Sequence, residues 1–162
     1  GRVVVRAVRA RGFRCVVVDR DQRVLDGLAG IGAATLYGDA ASRSILARSG
    51  LERARLLVVA IGDPMSAQLA VERAREINPK LTVVAMARGR TEVRAMRSLG
   101  VARLADPEVE AALELARATL ARMGISGPEQ TAITTGLRRR AYGDPTDGGS
   151  TMKPPGEPPA RG

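Results

Sequence analysis

The sequence predicts an α/β domain with a doubly wound parallel sheet. Three observations carry this prediction. Over residues 1–123, short β-branched apolar runs alternate with stretches whose apolar residues recur at helical spacing. The short runs are apolar throughout rather than every second residue, the pattern of strands covered on both faces. The intervening helices are about 10–15 residues long, the spacing that joins parallel strands.

The elements follow in order. Residues 1–11 carry Val3, Val4, Val5, Ala7 and Val8 between arginines, a helix closed by Gly12. Residues 13–18 form a short apolar strand that ends at Asp19 and encloses Cys15 as a buried thiol. Asp21 caps the next helix, whose Val24, Leu25, Leu28 and Ile31 share a face. Residues 33–37 are a second strand, closed by Gly38-Asp39. A helix over 42–49 ends at Gly50, and 55–61 is a strand. Asp63-Pro64 supplies a cap and a first-turn proline for a helix that runs to Ile77 and stops at Asn78-Pro79. Residues 81–87 are a strand, 91–99 a helix closed by Gly100, and 101–104 a short last strand. Asp106-Pro107 opens a final helix bearing Val109, Leu113, Ala116 and Leu120. Residues 124–142 read as a linker with some helix near 131–140. Residues 143–162 hold five Gly and five Pro, too little apolar surface to offset ordering entropy, so a disordered tail is expected.

Composition narrows the chemistry. The 162 residues include 26 Lys and Arg against 17 Asp and Glu, a net charge of +9. The basic residues are spread along helices, with Arg138-Arg139-Arg140 the single run, and there are only one Phe and two Tyr to stack on bases. Solvated helix faces therefore account for the charge, and no nucleic-acid partner is expected. With no His and one Cys, a His base, an intrachain disulfide and a Cys/His metal site are all ruled out for these residues. The longest apolar stretch, 56–61, is far short of the ~20 residues that span a bilayer.

The chain starts at Gly1 without an initiator Met or a signal-peptide pattern, and reads as a fragment. Gly1 opens a helix directly, and Asp19 lies eighteen residues later at a strand end. That matches a dinucleotide fingerprint whose second glycine is Gly1. Its glycines let a phosphate approach helix N–H groups, and its acidic residue about 20 positions on binds ribose hydroxyls. The first strand and first glycine would then be missing, and Val4 would stand at the third glycine. A doubly wound sheet without its central first strand has a gap, so low stability is expected. Asp19 read alone could instead simply cap the following helix. Gly38, Asp39 and Ala40, then Ile61 and Gly62, then Arg88, follow successive strands on the same sheet edge, where open α/β sheets bind ligands. Plain turns and a solvated arginine explain them as well.

The runs Gly1-Arg2-Val3, 11–21 (Arg-Gly-Phe-Arg-Cys-Val-Val-Val-Asp-Arg-Asp) and Tyr37-Gly38-Asp39-Ala40 resemble the TrkA-N, or regulator of potassium conductance, nucleotide-binding domain. Gly50-Leu51, 58–61, Asn78-Pro79, 84–88 and 99–101 fall in the same pattern. Pro107-Glu108 and the Ala/Leu-rich helix after it look most like Kef-type cation:proton antiporters. The resemblance covers residues 1–123 and implies a Rossmann-like fold. It further implies a regulatory domain on the cytoplasmic face of the plasma membrane that binds NAD(H) or AMP and forms a homodimer. It would be joined to a membrane transport module, fused upstream or present as a separate subunit, and would gate potassium transport. On this resemblance Gly1 and Arg2 face the pyrophosphate, Asp19 the ribose, and Asp39 with Ala40 the adenine end. Ile61 and Gly62 line the cleft, and Arg88 lies near the phosphates or a dimer seam. Asp19 favours a free 2′-hydroxyl, while Arg20 beside it keeps a 2′-phosphate open. No catalytic residue and no metal are implied. Two other functions fit the same residues: an NAD-dependent dehydrogenase fragment, and a degenerate remnant that binds no nucleotide.

Overall fold

The structure is a computed structural model that describes residues 1–143; the tail expected over 143–162 lies outside the described residues except for Gly143. The described residues divide into two compact units, one over 1–110 and one that begins at Ala111.

The first unit alternates helix and strand as α1 (Arg2–Ala10), β1 (Val16–Asp19), α2 (Gln22–Ala29), β2 (Ala34–Tyr37), α3 (Arg43–Arg48), a 3₁₀ turn (Leu51–Arg53), β3 (Leu56–Val59), α4 (Pro64–Ile77), β4 (Thr82–Met86), α5 (Gly89–Ser98) and β5 (Arg103–Ala105). All strand pairs are parallel. The expected caps are in place. Asp21 accepts from Arg23 N–H at 2.9 Å and Asp63 from Ser66 N–H at 2.8 Å, each satisfying a helix N–H that has no partner within its helix. Pro64 stands in the first turn of α4, where its missing N–H costs nothing. Cys15, expected inside a strand, is half-buried just ahead of β1.

The sheet is in two parts: β1 pairs with β2, and β3–β4–β5 form a second group in that order. Among the described residues no strand is hydrogen-bonded between β1 and β3. This changes the burial expected from the apolar runs. Only β4, flanked on both sides, alternates between buried and half-buried apolar residues after Thr82. Val16 on β1 and Leu56 and Val58 on β3 remain 47%, 50% and 38% exposed. An apolar run reports that a strand suits burial; the neighbours that supply it lie elsewhere in the chain.

The main core lies around β3, β4, α3, α4 and α5. Ala67, Val71, Ala74, Val83, Ala87 and Met96 are fully buried there, and each large side chain among them contributes about 1.5–3 kcal/mol. Asn78 fastens the end of α4 to the turn before β3, its amide donating to Leu51 O at 3.1 Å and Ala54 O at 3.0 Å. A smaller cluster of Val5, Leu28 and Ala33 holds α1 and α2 against β1.

The helix α6 (Pro107–Arg122) crosses from the first unit into the second. It ends at Gly124, in left-handed backbone at φ 81°, where Ile125 N–H returns to Leu120 O. The segment read as a linker is instead a continuous helix, α7 (Gly127–Tyr142). Pro128 opens it, Gln130 reaches back to Ile125 O at 2.7 Å, and Thr134 bonds to Gln130 O at 2.8 Å. Gln130 and Thr134 are its buried residues. A helix that buries polar residues lacks the apolar stripe by which helices are recognised in sequence. Among the described residues no helix is long and apolar enough to cross a membrane.

Candidate functional site

In a parallel sheet every strand-to-helix loop lies at the carboxyl edge, so the residues singled out after β1 and β2 share one rim, and those after β3 and β4 share the rim of the second part. The loop after β1 carries Asp19 and Arg20. Asp19 closes the strand, and its Oδ1 accepts Asp21 N–H at 2.9 Å, which leaves Oδ2 available as an acceptor.

The loop after β2 carries Gly38, Asp39 and Ala40. Gly38 sits at φ 156°, and a Cβ there would come within 2.6 Å of Ile45 Cδ1. A side chain at this point would strain the backbone and push Ile45 aside, so glycine lets the turn close onto α3. Asp39 Oδ1 accepts Ala41 N–H at 2.8 Å, and its Oδ2 pairs with Arg20 Nη2. From α4, Arg73 donates to Ala41 O and fixes the same turn from the other side. The Ala41 N–H bond is the largest cause that lowers the Asp39 carboxyl below the ordinary aspartate range; desolvation opposes it, and the Arg20 hydrogen bond, the Arg20 charge and the Arg73 charge add to the lowering.

On the second part of the sheet, Ile61, Gly62 and Asp63 follow β3, and Arg88 follows β4. Asp63 is likewise lowered, first by the Ser66 hydroxyl and amide and further by the charge of Arg20. Arg88 Nη1 donates to Gly62 O at 3.2 Å. A cleft of about 350 Å³ opens beside them, lined by Gly62, Pro64, Gln68, Arg88, Thr91 and Glu92 among others. Ile61, expected to line it, packs against the main core.

Gly1 and Arg2 are exposed at the start of α1. That helix leads by a turn into β1, so its N-terminus lies toward the carboxyl end of β1. No side chain caps it, and the first-turn N–H groups of a helix have no partner within the helix. A Cβ at Gly1 would meet nothing within 4 Å. Val4, in the third-glycine position, is 42% exposed and blocks no strand in this structure.

The structure therefore brings Asp19, Arg20, Gly38, Asp39 and Ala40 together, and Gly62 with Arg88 separately. Two residues that position Arg88 were not singled out as site residues. Glu92 accepts Arg88 N–H at 2.7 Å, and Asp106 accepts Gly89 N–H at 2.7 Å as well as Glu108 N–H at 2.9 Å. Both carboxylates are buried. Glu92 was visible as an acid one turn into a helix, the spacing that lets it reach back to the cap residue. Asp106 was visible only as the cap of α6; its bond seventeen residues back was not. Among the described residues no group of His, Cys, Asp and Glu is arranged to hold a metal ion.

Comparison with known proteins places these features in context. The profile of the TrkA-N domain matches residues 1–107. The Kef CTD of Shewanella denitrificans, solved in AMP-bound form, is 28% identical with a TM-score of 0.74, covering 87% of this chain and 85% of that one. The TrkA-N domain of the Escherichia coli inner membrane protein ybaL is 26% identical with a TM-score of 0.67, covering 71% and 85%. The GsuK channel bound to NAD shares the fold at 16% identity and a TM-score of 0.63, covering 71% of this chain and 21% of that one.

Proposed function

The chain belongs to the TrkA-N domain family, and from that premise we propose that it is a regulatory nucleotide-binding domain of a potassium channel or monovalent cation:proton antiporter. The observation that carries the reading is the pairing of strand ends β1 and β2. It brings the strand end that carries Asp19, whose Oδ2 makes no bond within its turn, next to the loop that holds the Asp39–Arg20 pair, and this supports a ligand-binding edge there. An acceptor there suits the ribose hydroxyls of NAD(H) or AMP, and the exposed N–H groups of α1 with Arg2 suit a phosphate. The AMP-bound Kef CTD, more similar to this chain than the NAD-bound GsuK channel, supports the same ligand class. Gly62 and Arg88 form the other bank, and residues 1–123 make up the functional body.

In this reading the domain works as a homodimer on the cytoplasmic face of the membrane. Nucleotide binding shifts the pair between two arrangements that a transport module senses. Such coupling requires different nucleotide affinity in the two arrangements, and no chemistry on the nucleotide. The test is calorimetric titration of AMP and NADH into the chain, with NADH absorbance followed over hours. Saturable binding at constant absorbance is expected, weakened about tenfold or more in Asp19→Ala through loss of a charged acceptor. Steady NADH consumption would favour a dehydrogenase fragment. Silence toward both nucleotides would favour a remnant that binds none.

A further inference from the structure

Arg20 directly follows the ribose-facing Asp19, where a free guanidinium would suit a phosphate on the 2′ position. In the structure it is engaged, with Nη2 on Asp39 Oδ2. The partner is held in place. Asp39 Oδ1 is anchored by Ala41 N–H, the turn is fixed by the Arg73 bond to Ala41 O, and Gly38 seats the loop against Ile45. The carboxylate therefore meets Arg20 already oriented, which lowers the entropy cost that makes most surface ion pairs weak. We propose that Asp39 sets the nucleotide specificity of this site by holding Arg20 in an ion pair, so that it accepts a free 2′-hydroxyl and refuses a 2′-phosphate.

The charge around Arg20 points the same way. Asp19 adjoins it in sequence and Asp39 is bound to it. A dianionic 2′-phosphate would meet the neighbouring Asp19 carboxylate and a guanidinium already paired with Asp39. The side chains of Arg20 and Asp39 are 65% and 42% exposed, so solvent screens the effect and sets its size at about tenfold rather than thousands.

The inference rests on the nucleotide-binding reading above, and the experiment separates the two. The affinities of the full chain for AMP and for adenosine 2′,5′-bisphosphate are measured by calorimetry, with NAD and NADP as a second pair. The wild type should prefer AMP by about tenfold. Asp39→Asn keeps an oxygen for Ala41 N–H, so the turn persists, and it releases Arg20. It should tighten the bisphosphate until the ratio falls to about threefold or reverses. Adding Arg20→Gln to Asp39→Asn should abolish that gain. Arg20→Gln alone leaves the AMP preference standing if Arg20 is sequestered. Equal wild-type affinity for the two ligands, or a ratio unmoved by Asp39→Asn, would overturn the proposal. A wild type that binds neither nucleotide removes the underlying reading and this inference with it.

Discussion

Replacing Asp106 by Ala tests how the β4–α5 turn, and with it Arg88, is held. The carboxylate is 6% exposed and accepts two amides from different parts of the chain, Gly89 N–H at 2.7 Å and Glu108 N–H at 2.9 Å. Hydrogen bonds to a charged group contribute about 1.5–3 kcal/mol each, and loss of an Asp cap alone costs about 0.5–2 kcal/mol. The two are not additive here. Gly89 and Glu108 are exposed residues, so water can take over part of the role once the side chain is gone. The expected loss is therefore about 2–3 kcal/mol for Asp106→Ala and about 1 kcal/mol for Asp106→Asn, which keeps one acceptor oxygen. Urea unfolding measures this as a lower midpoint at unchanged slope. Amide hydrogen exchange supplies the local readout: Gly89 and Glu108 should lose protection in the Ala variant while the core amides of β4 follow only the global change. A midpoint shift worth less than about 0.5 kcal/mol, with Gly89 still protected, would refute the account, since that is the scatter of ordinary surface substitutions.

Two further outcomes follow from the site. Gly38→Ala should destabilise by about 1–3 kcal/mol, because it places a Cβ against Ile45 in backbone that disfavours side chains; a thermal melt unchanged from wild type would contradict this. Asp39 and Asp63 both titrate below their unfolded values, so their contribution to stability is complete above the ordinary aspartate range near ~4. It is lost as pH falls through their lower folded values. Carboxyl chemical shifts should show both titrating late, and Arg20→Gln should raise both, Asp39 the more.

The elements that local chemistry specifies were legible from the residues alone. Asp21 and Asp63 cap helices by reaching two or three residues ahead, Pro64 suits a first turn, and the Val/Leu runs of β1, β3 and β4 appear where apolar runs stand. The same holds for the placement of Asp19 and Asp39 on one carboxyl edge and of Gly62 and Arg88 on the other, which follows once the strands are parallel. Only the tertiary structure decided which of them meet. Whether Asp19 merely caps α2 turned on geometry, and Asp21 performs that role while Asp19 keeps an oxygen open. The Arg20–Asp39 pair, the Asp106–Gly89 bond and the Asn78 tie to Leu51 join residues 17 to 27 positions apart, and no periodicity records such distances. The division of the sheet and the exposure of Val16, Leu56 and Val58 are likewise properties of neighbours rather than of the runs. Residue type and spacing encode what a segment does within a few positions of itself. Burial, charge pairing and the shape of a binding edge arise from segments that meet only when the chain folds.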